Sequence, residues 1–196
     1  MTPITNPNAY RFLAEVLLYP QDRNFENLES YAEAAVAASP GLQQSIASIL
    51  TDPEWDDCDP YLQTFEIAPR APLYLGHYLF EEPRNCRGAA ISGRNNYMIQ
   101  LKNVYRHFGF ELQGGELPDF LPAILDFLAL SADHPDQKRR QWMIRVFVKP
   151  ALPSFIQALR KVNNVYSHVA GILEALINAE LVDTAAQRSE AAAALA

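Results

Sequence analysis

Residues 116–130 read ELPDFLPAILDFLAL, and Asp119 and Asp126 stand seven positions apart in this run among almost wholly apolar neighbours. A carboxylate in such a place can cap a helix, pair with a cation, or move a proton. With Asp119 as the N-cap, Pro122 falls at N3, where its missing N–H costs nothing because the first helical amides have no intrahelical partner. At about 100° per residue, Leu121, Ile124, Leu125 and Leu128 then share one broad face. Asp119 and Asp126 fall nearly in line on the opposite side, with Ala123 between them and Leu130 continuing the row. A peptide lying against that row could place a cation near either acid. The plainer alternative makes Asp119 only a cap and Asp126 only a solvated acid, and spacing alone favours it.

Other residues suited to chemistry do not cluster along the chain. None of His77, His107, His134 and His168 has another histidine three or four positions away, so no helical metal site is expected. His77 reads as a hydrogen-bonded core residue, and His107 and His134 as helix-end residues. Cys58 and Cys86 are the only cysteines, with neither C-x-x-C spacing nor a disulfide framework, and read as reduced thiols. There is no G-x-S-x-G, G-x-G-x-x-G or P-loop. Lys138-Arg139-Arg140 reads as a solvated basic face. No metal and no cofactor are expected from this inventory, while a Ser/His/Asp triad assembled by the fold stays open.

The elements that must carry these residues are helices punctuated by proline. The chain has 196 residues, 49% of them apolar and 20% charged, which is an ordinary globular balance. Helices are predicted from Asn6 or Asn8 to Pro20, over 24–38, over 42–50, and from an Asp59-Pro60 start. Further helices are predicted over 71–80, over 97–108 with Gly109 as cap, over 136–148, and in two closing stretches, 151–162 and 165–177. Period-two alternation is absent. The fold class is all-α, a single-domain bundle of about nine or ten helices over 1–182, followed by an alanine-rich tail, 183–196, frayed or disordered. The stretch 81–96, with its glycines and arginines, reads as a mobile loop.

Net charge is −7, which argues against nucleic acid and favours a basic partner. The first apolar run, FLAEVLLY, is short and carries Glu15, so no signal peptide is expected. No run reaches the roughly 20 apolar residues that span a bilayer. A cytoplasmic protein is expected, monomeric, with a domain-swapped dimer as the alternative.

Taken together, these stretches resemble the TorD/DmsD/NarJ family of redox-enzyme maturation chaperones, and most closely its NarJ-like branch. ELPDFLPAILDFLAL is similar to the family's acidic-Leu-Pro-Asp-His-Leu-Pro element and the helix after it. YLQTFE at 61–66, LYLGHYLF with Arg84 and Arg87-Gly88, YRHFGFEL at 105–112, and the stretch from Lys149 to Leu176 with its Asn164-Val165-Tyr166 turn match further family segments. Phe120 stands where the family carries histidine, and Val165 where it carries proline. The resemblance covers about 60–176. It implies a chaperone without catalysis of its own. Such a protein binds the N-terminal leader of a molybdenum-containing catalytic subunit and holds the subunit for molybdopterin insertion. Where the client is exported, it also delays twin-arginine translocation. Possible clients range over nitrate, selenate, chlorate and perchlorate reductases and dimethylsulfide or ethylbenzene dehydrogenases. The expected peptide-binding residues are Tyr74, Tyr78, Arg84, Glu116, Leu117, Pro118, Asp119, Ala123, Asp126 and Tyr166. A structural subunit of a redox complex and a small α-helical hydrolase are the competing readings.

Overall fold

The computed structural model describes residues 5–81, 93–113 and 115–193, with residues 182–193 given by backbone alone. The order is α1 (Pro7–Val16), α2 (Phe25–Ala38), α3 (Gln43–Leu50), α4 (Cys58–Tyr61), α5 (Gly93–His107), α6 (Leu121–Leu130), α7 (Gln137–Met143), α8 (Leu152–Lys161) and α9 (Val169–Ala193). The all-α expectation holds. Among the described residues the nearest approach to a sheet is one antiparallel bridge, Tyr74 to Phe120.

Local signals explain most boundaries. Asn6 caps α1 by accepting from the Ala9 amide at 3.0 Å, and its Nδ2 donates to Ala35 O at 2.9 Å, tying α1 to the end of α2. Asn24 caps α2. Gly109, at φ +80, closes α5, with its amide on Arg106 O and the Phe110 amide on Tyr105 O. The α4 cap is Asp57 rather than Asp59, its Oδ1 accepting from the Asp59 amide at 3.1 Å. Residues 71–80 do not form the predicted helix. They hold only a 3-10 turn, Leu75–Tyr78, because Leu73 and Leu75 instead make ladder-like bonds with the chain around Phe120. Of the expected mobile loop, residues 82–92 lie outside the described residues, and Gly93–Asn96 form the first turn of α5.

The core draws buried side chains from Ala9 through Ile177. Helix α1 is central, packing on α2, α6 and α9, with Tyr10, Phe12, Leu13 and Leu17 sealed from solvent. Each such apolar side chain contributes about 1.5–3 kcal/mol on burial. Within this core lies an ion pair. Arg140 is fully buried and bonds both oxygens of Glu180, with Nη2 to Oε1 at 2.7 Å. It also donates to Leu128 O at 2.8 Å and Ser131 Oγ at 3.1 Å, while Tyr10 donates to Glu180 Oε1 at 3.0 Å. The reading of residues 138–140 as a solvated basic face is therefore corrected. Lys138 and Arg139 are exposed, but a rotation of about 100° per residue carries Arg140 inward to join α1, α6, α7 and α9.

Candidate functional site

Helix α6 positions the site. Its cap position is Phe120, and Pro122 is at the second helical position, not the third. Leu121, Ile124, Leu125 and Leu128 are fully buried, as their spacing predicts. The outward row holds only from Ala123 onward: Ala123 is half-buried, Asp126 exposed, and Leu130 exposed at 52%.

Asp119 departs from the expectation of an exposed cap. It is 0% exposed. Its Oδ2 accepts from the Gly76 amide at 3.1 Å and from Arg94 at 3.2 Å (Nε) and 3.1 Å (Nη2). Its carbonyl accepts from the Leu75 amide at 2.9 Å. Asp119 thus fastens the 73–76 segment and α5 to the entry of α6. The physical reason is the Leu-Pro-Asp approach, which turns one residue before the helix and points the carboxylate inward to a cation. Gly76 fits this clamp because a Cβ there would sit 2.5 Å from Asp119 Oδ2.

Beside the α6 row runs an open groove of about 310 Å3. Its walls are α1 (Ala14, Glu15) with Leu18 just past its end, α6 (Pro122, Ala123, Asp126, Phe127, Leu130) and the 110–116 connection (Phe110, Glu111, Leu112, Glu116). The lining is mainly apolar and aromatic, and every charged group in it is a carboxylate: Glu15, Glu111, Glu116 and Asp126. Asp126 is exposed at its tip yet stands among apolar walls. Its carboxyl is held above the ordinary carboxylate range, first by desolvation and then by the Glu15 carboxylate, with Arg11 opposing. A cation brought to this rim meets carboxylates with little competing charge.

The other expected site residues distribute as follows. Glu116 lines the groove, and Leu117, 42% exposed, follows it in the chain. Tyr74 stands at the groove's end, donating to Glu116 Oε2 at 3.3 Å and lying 5.4 Å from the Phe120 ring. Burial, then Glu116, pushes its phenol up to about 12. Pro118 accepts from the Tyr105 hydroxyl at 2.8 Å and borders a neighbouring hollow rather than the groove. Tyr78 packs on Phe155 and donates to Pro72 O at 3.0 Å, away from the groove. Tyr166 does not reach the groove: it is 1% exposed, takes a hydrogen bond from Arg23 at 2.9 Å, and meets the Tyr61 and Phe65 rings edge-on in the core. Arg84 lies outside the described residues. His77 is exposed, not a core histidine, because the 3-10 turn faces it outward.

Sequence reasoning missed Glu15, Leu18, Phe110, Glu111, Leu112 and Phe127. One signal was available: Glu15 interrupts the apolar run FLAEVLLY, as Asp126 interrupts its own. Among the described residues, no group of three His, Cys, Asp or Glu side chains is gathered as a metal site would need. No helix there is long and apolar enough to cross a membrane.

Residues 28–164 match the model of the nitrate reductase delta subunit family, and the chain belongs to that family. It is 30% identical over 118 residues to the nitrate reductase-like protein NarX of Mycobacterium tuberculosis, covering 59% of this chain and 17% of NarX. It is 32% identical over 69 residues to a Bacillus subtilis protein named "Probable nitrate reductase molybdenum cofactor assembly chaperone NarJ", covering 35% of this chain and 33% of that one. The chain thus spans a third or less of each of these relatives.

Proposed function

We propose that this chain is an assembly chaperone for a molybdenum-containing oxidoreductase. It binds the N-terminal leader of the catalytic subunit in the α1–α6 groove and has no catalysis of its own. The observation that carries this reading is the pairing of an apolar floor with a rim of four carboxylates, in a member of the nitrate reductase delta subunit family. A leader that folds as a basic amphipathic helix suits both features: its apolar face meets Phe110, Pro122 and Phe127, and its cations meet Asp126 and Glu15. The name of the Bacillus subtilis relative supports molybdenum cofactor assembly as the task. The chaperone works in the cytoplasm, as a monomer, and leaves before the enzyme is finished. If the client is exported, occupancy of the leader also delays translocation.

Asp119 enters this reading as a positioning residue. Its clamp on Gly76 and Arg94 fixes the start of α6 and hence the height of Ala123 and Asp126 in the groove wall.

The test uses the tagged full chain as bait in its own cells grown anaerobically, with mass spectrometry of the prey. An immature molybdoenzyme catalytic subunit should be captured, and deletion of that subunit's leader should abolish capture. Recovery of the chain with a finished, active enzyme complex would instead make it a structural subunit.

A further inference from the structure

The α1 side of the leader groove is tied to the start of α2. Glu15 Oε2 accepts from the Asn24 amide at 3.0 Å, and Arg23 Nε donates to Leu18 O at 3.1 Å. Both Glu15 and Leu18 line the groove. The residue after Asn24 is Phe25, the first of α2, and it is 46% exposed. Its ring meets the half-buried Trp55 ring edge-on, with centroids 5.5 Å apart. Trp55 is held in place: the Arg23 guanidinium lies 5.5 Å over its ring, and its carbonyl accepts from Arg23 Nη1.

A single exposed apolar side chain is ordinary on a protein surface. Here two aromatic rings share one exposed spot, and hydrogen bonds fix that spot against the groove wall. Phe25 follows Asn24 by one Cα step, about 3.8 Å. The span from Glu15 to the ring pair is therefore on the order of 10 Å, about three residues of extended chain. The acidic rim continues along it. Apart from Arg23, every charged residue in 22–29 and 52–59 is a carboxylate. Glu26 follows Phe25, and Glu54 and Asp56 flank Trp55, all three exposed. Arg23 is 6% exposed, its guanidinium turned in to the Val16, Leu18 and Trp55 carbonyls and the Tyr166 hydroxyl.

We infer that the leader site extends past α1 onto the Phe25–Trp55 pair, which docks a short basic segment flanking the groove helix. An apolar side chain of that segment packs on Phe25, and its cations face Glu26, Glu54 and Asp56. This rests on the leader reading and adds a second contact to it. The rings supply apolar contact, and the carboxylates favour a basic segment over an acidic one.

The experiment titrates the full chain with labelled synthetic peptides built on one helix of about three turns, with leucines at i, i+3, i+4 and i+7 and lysines on the other face. The helix is used bare, or extended at its N- or its C-terminus by glycine, lysine, phenylalanine and arginine in that order outward. Extensions of glycine and serine of the same length are the controls. One of the two basic extensions should tighten binding about fivefold or more over its control. Phe25→Ser should abolish that gain yet bind the bare helix as the wild type does, and Glu54→Gln/Asp56→Asn should reduce the gain. Thermal melting checks that each variant keeps its fold. The inference alone is overturned if the bare helix binds but neither basic extension adds to it. It is overturned equally if Phe25→Ser keeps the whole gain, which is then general attraction to an acidic chain. A wild-type dimer in sedimentation that Phe25→Ser dissolves also overturns it, since a second copy then covers the rings. A bare helix that does not bind, or whose binding is indifferent to Glu15→Gln/Asp126→Asn, marks failure of the leader reading itself, and this inference falls with it.

Discussion

Asp119 Oδ2 gathers the Gly76 amide and the Arg94 guanidinium at one buried point. Replacing it by Asn removes the charge that Arg94 faces. Because Arg94 keeps 26% exposure, the loss should be on the order of 2–3 kcal/mol, read as a lowered urea midpoint at unchanged slope. Gly76→Ala should cost about 1–3 kcal/mol by the same measurement, since its Cβ would press on a carboxylate that cannot retreat. Arg140 and Glu180 make a sharper case. Either Arg140→Ala or Glu180→Gln leaves a buried partner uncompensated, for roughly 3–5 kcal/mol. The joint change Arg140→Met/Glu180→Leu should cost less than Arg140→Met or Glu180→Leu alone, and the double-mutant cycle built from these three variants would show it. None of these burials was legible in sequence. An acid in an apolar run can face water or a cation, and the cation here is Arg94, 25 positions away in a segment with no regular pattern. The Lys-Arg-Arg triplet likewise looks uniform until helical rotation separates its third member from the first two.

At the scale of elements, far more was legible. The Asn caps of α1 and α2, the glycine stop of α5 and the buried face of α6 follow from residue type and spacing. The miss at 71–80 has a physical cause: an apolar aromatic run without caps can satisfy its backbone against another segment, and Leu73 and Leu75 do so with Leu121 and Asp119. Half of the groove was visible, the α6 row with Glu116. The other half was not, because α1 reaches it only through tertiary packing. The pairing of α1 and α6 yields a pH prediction. Asp126 has its carboxyl raised by desolvation and by Glu15, so its ionised form is disfavoured in the empty groove. A peptide cation favours the ionised form, so binding lowers this pKa and releases a proton. Affinity for a cationic peptide should therefore fall as pH drops through the raised Asp126 value. Asp126→Asn should weaken binding at neutral pH and flatten this dependence, both read by titration across the acidic range. For stability the sign is opposite: a raised carboxyl destabilises the fold when ionised, and that cost is relieved as pH falls through the raised value.

At the scale of the whole molecule, on a chain of net charge −7, every charged residue that lines the α1–α6 groove is a carboxylate. The family match begins at residue 28, so α1, which supplies Glu15, and Leu18 just after it lie outside it. The groove consequently joins a family-matched wall to one that the match does not reach. The all-α bundle was legible from composition and periodicity, but the pairing of α1 with α6 that makes the groove was not, since it depends on contacts no local pattern encodes. Helix α9 runs on to Ala193, well past Ile177 and Glu180, which are buried in the core. The stretch 183–196 is alanine-rich and offers few large apolar side chains, so removing it should shift the melting temperature little. The central claim is that the α1–α6 groove receives a basic amphipathic leader, and calorimetric titration with the client's leader peptide tests it most directly. The wild-type chain should bind at micromolar affinity or better and more weakly in high salt, and Glu15→Gln/Asp126→Asn should lose about tenfold or more. Binding that is indifferent to both salt and that double substitution would contradict the account.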